Sequence, residues 1–591
     1  MKKYYLAFLI ACTIGGSVHA QISAGGFPWS MVENSRLVPL SAYNLPEPDY
    51  EQLKREDELD AVLNVAKPYR IAATINTEIN TKSHGNWSYL ADGRKVWRLA
   101  ISVPGAKALS FNYNRFELPE GVSFFLRNQS GKQVLGAYTS ANNSEFGVFA
   151  HEQVMGDQAI LELNFEAGVT ERFEFNIDKI WAAYRGVQNI YETDDVALRP
   201  TNAESPCHIN ASCPEGDGAL FAKAKAATVQ INMGGSVCSG TMINSTANAE
   251  SGVCKPYLLT ASHCDGANSY EDAGFANWVF TFNYQWLNCD GSNADEPRSR
   301  TGARFRARSH NPSLGNPGEN RLVSDFLLLE LNAPPQAAAN AYLVGWNRDQ
   351  YIDSDPEYYT KFVGFHHPGG DRKKLGVSFS IDGTETFNQS AVSNTHWKAN
   401  FTVGGTEGGS SGSGLFDIDG LLIGDLSGGP KLPGDCYPLG KSSLYSKLSY
   451  MWDNEFDQQN FPQYAGPASR VKDWLAPGEP DRVKMESVKY DCSDYDQVVS
   501  VKELATILNT SFTVYPNPAS DVLHFKANFP EQRDVSIAIY DITGSKKQSF
   551  DLKNVRTGNY KTSVENLASG MYFVTISSNG VSVSKKIVVQ K

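Results

Sequence analysis

Positive charge, long apolar runs and cysteine are all scarce in this 591-residue chain. Lys and Arg number 53 against 65 Asp and Glu, a formal net charge of -12. Nucleic acid and anionic membranes both need a basic footprint on their partner, so neither is expected as a primary ligand. The apolar run from Tyr4 to Ile14 follows Lys2 and Lys3 and gives way to small residues ending at Ala20. It is too short for the roughly 20 residues that span a bilayer, and its layout predicts a secretory signal over residues 1–20. No other segment is long and apolar enough to span, so no transmembrane segment is expected after its removal. No cysteine lies between Gln21 and Pro206, and none is arranged as C-x-x-C, the spacing that usually announces zinc. No metal or other cofactor is expected.

The composition that remains is that of a globular protein, with 41% apolar and 20% charged residues. The length exceeds what one hydrophobic core supports, which implies several domains. Fifty glycines, 27 tyrosines and 30 phenylalanines favour β structure with tight turns. Residues 21–200 read as a β-rich domain, with alternating runs at Lys95 to Ser102 and Ala159 to Phe165. Residues 201–476 hold seven of the eight mature cysteines, an even set that suggests disulfides in an oxidising compartment. Short apolar runs between Gly, Pro and Asn predict a disulfide-pinned barrel or sandwich there. Residues 477–511 are polar and read as a linker. Residues 512–591 carry strand-like runs at Val535 to Tyr540 and Met571 to Ile576, an all-β module.

Three pieces point to chemistry. Thr406 to Phe416 places a serine, Ser411, among glycines just before an apolar strand. An attacking hydroxyl needs such a tight turn, with N–H groups turned to the same point to hold the developing oxyanion. An Asp-Gly turn between Phe416 and Ile423 predicts that this loop feeds a hairpin. Pro256 to Cys264 is an apolar strand that presents His263, whose imidazole suits a general base. Asp325 heads the apolar run Phe326 to Leu331, where a buried carboxylate can orient that imidazole. Each piece alone has an ordinary structural explanation. Their chain order, His then Asp then Ser, is that of the chymotrypsin fold and not of lipases, which place the serine first. His366 and His367 are adjacent rather than four apart, which excludes a zincin pattern, and they read as structural.

The stretches Cys207 to Gly218, Asn244 to Asn248, Leu259 to Cys264, Ser324 to Asn332, His366-His-Pro368 and Gly409 to Ser413 resemble the bacterial lysyl endopeptidase family. The resemblance covers Cys207 to about Leu475 and implies a secreted, chymotrypsin-like double β-barrel serine protease acting on proteins or peptides. It implies His263 as base, Asp325 as its orienter, Ser411 as nucleophile, and the N–H groups of Gly409 and Ser411 as the oxyanion hole. It also implies the disulfides Cys207–Cys436, Cys213–Cys289 and Cys238–Cys264; it places neither Cys254 nor Cys492, and a bond between those two is one open pairing. For specificity, the family's Lys-selecting aspartate aligns with Ser443. Two other acids could serve a basic P1 side chain: Glu407, four residues before the nucleophile, and Asp425, just before Ser427 and Gly428, which should line the substrate.

Phe512 to Ala519, Ile539 to Gly544 and Leu567 to Val574 resemble the type A C-terminal sorting domain of type IX secretion. That resemblance implies a small β-sandwich, the type IX machinery as a partner, and a final location outside the cell or on its surface. Residues 21–200 would then be a propeptide. The rival expectation is a catalytically inactive protease homologue serving as a surface adhesin.

Overall fold

The computed structural model describes residues 23–32, 37–62, 67–170, 172–187, 207–248, 254–311, 323–387, 392–429, 442–493, 508–578 and 581–591. It is mainly β and divides into two compact units, residues 1–495 and 496–591. Among the described residues no helix is long and apolar enough to cross a membrane.

The N-terminal part of the first unit is built from two antiparallel-rich sheets. One centres on the paired strands Lys95–Ser102 and Gln158–Phe165, and the other on Ala108–Glu117 and Glu174–Ala183. Alternate residues of these strands face one core, as strand geometry requires, while the positions between them are largely buried on the other face as well. Trp97, Leu99, Phe111, Tyr113, Phe124, Leu161 and Phe175 meet in one core. Both runs singled out in the sequence are central strands of this core.

Two barrel-like sheets follow. In the first, Thr228–Asn232, Ser236–Ile243, Tyr257–Thr260 and Leu327–Leu331 are successive neighbours. The second runs through Phe362–His366, Lys374–Glu385, His396–Val403, Ser442–Lys447 and Leu422–Gly428, and Gly414–Phe416 pairs with both ends to close it. The expected Asp-Gly hairpin stands: Gly420 takes φ +73°, Gly420 N–H donates to Asp417 O, and Asp417 N–H donates to Leu421 O. A left-handed turn residue is glycine for want of a Cβ penalty.

Three disulfides join described cysteines: Cys213–Cys289, Cys238–Cys264 and Cys254–Cys492. Cys207 is also disulfide-bonded, and its expected partner Cys436 lies outside the described residues. The signal expected over 1–20 lies outside them as well. The stretch read as a linker differs from its expectation in its first half. Lys484–Met485 pairs with Trp346–Asn347, Val488–Lys489 pairs with Tyr342–Leu343, and Cys492 is bonded to Cys254. Two-residue pairings leave no periodic apolar signal, and composition alone therefore reads as linker.

The second unit is a small β module. Its long strands Val522–Asp541 and Lys546–Ser563 pair with register shifts between Asn528 and Val535. Both halves contribute to one core, Leu523 and Phe525 from the first and Ile537 and Ile539 from the second.

The Cys254–Cys492 bond closes a loop of 238 residues and holds the end of a segment whose two strands are only two residues long each. Replacing both cysteines by serine is expected to destabilise the first unit by about 2–4 kcal/mol. Urea unfolding reads that loss, and limited proteolysis should then cut within 484–492, a site protected in the parent.

Candidate active site

His263 sits in a short 3-10 turn, Ser262–Cys264, where the strand Tyr257–Thr260 ends. The Cys238–Cys264 disulfide fixes that turn to the neighbouring strand. Asp325 precedes the strand Leu327–Leu331, which pairs with Tyr257–Thr260 and brings the two residues level. The imidazole Nδ1 lies 2.7 Å from Asp325 Oδ2, while Oδ1 accepts from the His263 N–H at 3.1 Å and the Ser262 hydroxyl at 2.7 Å. Asp325 is fully buried, and burial alone would raise its pKa. The His263 ring and these hydrogen bonds outweigh it and hold the carboxyl below its ordinary value. An ionised carboxylate on Nδ1 leaves Nε2 as the free basic nitrogen.

Ser411 is half-buried at the tip of the glycine loop. Gly409 and Gly412 there take φ +93° and +77°. A Cβ on Gly412 would come within 2.0 Å of Thr260 Oγ1, so the loop can pass the first barrel only with glycine at that point. The loop's carbonyls are anchored inward: Gly408 O accepts from Gly369 N–H at 2.7 Å, Gly409 O from the Ser239 hydroxyl at 2.9 Å, and Ser411 O from Ser239 N–H at 2.8 Å. Among the described residues the N–H groups of Gly409 and Ser411 have no acceptor, as an anion-holding pair requires. The His263 ring and the Ser411 hydroxyl are not hydrogen-bonded in this structure; such bonds commonly tighten only around a substrate.

The residues expected to set specificity are less alike than the sequence implies. Ser443 Oγ is 2.7 Å from Thr406 Oγ1, and a Cβ on Gly429 would sit 3.1 Å from that serine oxygen, so a hydroxyl pair stands beside one glycine. Ser427 Oγ is bonded to the buried His396 Nε2 at 3.1 Å, and Gly428 faces Phe387. Glu407 Oε2 lies 3.4 Å from His208 Nε2, near enough for charge attraction but not aligned for a hydrogen bond. Asp425 is buried with neither carboxylate oxygen hydrogen-bonded among the described residues. Burial, with the nearby Asp325 charge adding to it, pushes its pKa well above the ordinary carboxylate value.

Sequence reasoning missed Ser239, which carries two of the loop anchors, because nothing marks it beyond its place after Cys238. It also missed an occupant. Tyr69–Arg70, from the N-terminal part, pairs antiparallel with Ser236–Val237, and Ile71 N–H donates to Gly235 O at 2.8 Å. A Cβ on Gly408 would lie 2.2 Å from the Tyr69 ring, so the ring rests on the glycine loop that carries Ser411. Arg185 stacks over that ring at 4.1 Å, and Asp57 pairs with both Arg70 and Arg185 at 2.8 Å.

Residues 201–437 match the family model for the lysyl endopeptidase C-terminal domain, and residues 513–590 match that for the secretion system C-terminal sorting domain. A lysyl endopeptidase of Pseudomonas aeruginosa is 25% identical over 395 residues, spanning 61% of this chain and 76% of that protein. Among solved structures, a kallikrein-related peptidase 10 complex with Zn2+ is 16% identical, covering 40% of this chain and 94% of that chain at a TM-score of 0.24. An immunoglobulin-like β-sandwich protein of the DUF3244 family from Bacteroides vulgatus is 21% identical, covering 14% and 87% at a TM-score of 0.13.

The pKa of Asp425 makes a sign-definite prediction. A carboxyl whose folded pKa lies above its unfolded value near 3.9 favours the fold below about pH 4 and loses that advantage as pH rises. The loss approaches about 1.4 kcal/mol per pH unit up to the folded pKa. Asp425→Asn removes the titration, and the variant is expected to gain stability over the parent between pH 4 and 7, with the gap closing at pH 4. Thermal melts across that range check it.

Proposed function

Starting from a peptidase similar to lysyl endopeptidases and exported by type IX secretion to the cell surface or beyond, we propose that it is a serine endopeptidase. Ser411 attacks the scissile carbonyl, His263 takes its proton and returns it to the leaving amine, and Asp325 holds the ring. The tetrahedral oxygen is received by the N–H groups of Gly409 and Ser411. The observation that carries the reading is the Asp325 carboxylate: buried, ionised and 2.7 Å from His263 Nδ1, opposite a loop whose two N–H groups are left without acceptors. An inactive adhesin would have no need to keep a buried charge so placed. Through its C-terminal module the chain would engage the type IX machinery.

Basic P1 preference rests on Glu407. Asp425 is the weaker candidate, since a carboxyl held neutral by burial offers no counter-charge to an ammonium. Ser443 and Thr406 supply hydroxyls only.

The N-terminal β region reads as a propeptide that covers the leaving-group side. The strand Leu422–Gly428 is taken to line the acyl part of the substrate, and Ser236–Val237, in the strand whose Ser239 N–H holds Ser411 O, is taken to line the leaving-group part. A substrate continuing past the scissile bond would need the edge that Tyr69–Arg70 occupies.

Ser411→Ala is expected to lower kcat on the order of 10^6-fold with the fold intact, and a fluorophosphonate should label the Ser411 peptide alone. Glu407→Gln, run on Lys, Arg, Ala and Phe substrates, should lose the basic ones selectively. Labelling at another serine, or an unchanged profile, would remove the first or second claim respectively. The uncleaved chain should hydrolyse a peptidyl ester with nothing beyond the scissile bond yet reject a peptide extending three residues further. Asp57→Ala with Arg185→Ala should restore the longer substrate; equal handling of both substrates by the parent would sink the occlusion.

A further inference from the structure

Two peptide units decide whether an anion can be held beside Ser411, and each is planar with its N–H opposite its C=O. The N–H of Gly409 belongs to the unit whose carbonyl is Gly408 O, bound by Gly369 N–H at 2.7 Å. The N–H of Ser411 belongs to the unit whose carbonyl is Ser410 O, bound by Ser413 N–H at 3.1 Å. Pulling each carbonyl inward turns its N–H outward. Between them lies the 409–410 unit, whose carbonyl Gly409 O accepts from the Ser239 hydroxyl at 2.9 Å and whose Ser410 N–H donates to Glu407 O at 3.0 Å, so the Ser410 side chain is the remaining anchor of the turn.

That residue is held by His366. Its Nδ1 lies 2.7 Å from Ser410 Oγ, and both side chains are fully buried. Ser410 Oγ also accepts from Glu407 N–H at 3.2 Å. The hydroxyl has one proton, and among the described contacts His366 Nδ1 is the acceptor left for it. Taking Nδ1 as that acceptor makes the ring the neutral tautomer with its proton on Nε2, which has no hydrogen-bond partner among the described residues. Burial, reinforced by His208, His367 and Lys374 nearby, drives the ring to its neutral form. The same segment supplies Gly369 N–H to Gly408 O, and His367 N–H donates to the Ser239 hydroxyl that in turn holds Gly409 O. A Cβ on Gly409 would lie 2.7 Å from His367 O, so the segment and the loop are in backbone contact.

We propose that His366 is a positioning residue for the proposed serine endopeptidase: by accepting the Ser410 hydroxyl proton it locks the 408–411 turn with both oxyanion donors outward. It touches neither substrate nor nucleophile, and the proposal rests on the triad reading above. Loss of the lock lets the turn rotate, which removes donors from the transition state and leaves substrate binding alone.

The test uses enzyme secreted from cells that make the full chain. His366→Leu and Ser410→Ala are each expected to lower kcat about 100-fold with KM nearly unchanged, in the range of losing an oxyanion donor. Affinity for a peptide boronate, which places an oxygen in the hole, should fall by a similar factor, while a product-like peptide binds as before. The double variant should be no worse than either single one. His366→Asn, which can offer an acceptor near the Nδ1 position, should recover part of the rate, and with Ser410→Ala it keeps the test open if His366→Leu does not fold. Full kcat in Ser410→Ala, equal losses for boronate and product peptide, or additive losses in the double variant would each overturn the proposal. Ser411→Ala separates the failures: if that variant stays active, the triad reading is what has failed.

Discussion

Ser239 ties the Ser411 loop of one barrel to a strand of the other. Its N–H holds Ser411 O and its hydroxyl holds Gly409 O. Because Cys238, the preceding residue, is bonded to Cys264 beside His263, the same strand fixes both the loop and the imidazole. A displacement of this strand would move Ser411 and His263 together, and so preserve their relation. Reacting groups carried on separate barrels need such a common reference, since catalysis falls steeply with small misplacements.

The cradle is dense on the inner side and open on the outer. Gly408, Gly409 and Gly412 are each in contact with neighbouring backbone or rings at distances that a Cβ could not tolerate. The tight packing leaves the loop one arrangement. It also explains why the Tyr69 ring can lie directly on Gly408, and why Trp181 can cover Gly234 with no side chain between. The N-terminal region thus docks on glycine backbone in and beside the Ser411 loop, and Ile71, Ala183 and Val237 belong to a small shared core there.

Two carboxylates close to one another follow opposite rules. Asp325 is ringed by donors and stays ionised, while Asp425 is buried without a hydrogen bond and is driven neutral. Burial is common to both, and the hydrogen-bond partners decide the charge.

Strand periodicity in residues 95–102 and 158–165, the hairpin at Asp419-Gly420 and the order of His263, Asp325 and Ser411 were legible in the sequence, because each is a local pattern. The pairing of Cys254 with Cys492 stayed open in the sequence, since a 238-residue separation carries no local mark. Residues 484–489 looked like linker for the same reason. His366 shows the limit most clearly: its motif stood out, yet a histidine beside a histidine reads as structural until the fold brings Ser410 Oγ to 2.7 Å. Tyr69 had no signal at all, as its role depends on where the N-terminal sheets dock. The chain by itself determined which side chains could do chemistry, through residue type and short-range spacing. Tertiary structure decided which carboxylate keeps its charge, which carbonyls turn inward and what covers the cleft, because burial and hydrogen-bond partners arise only from contacts between residues distant in sequence.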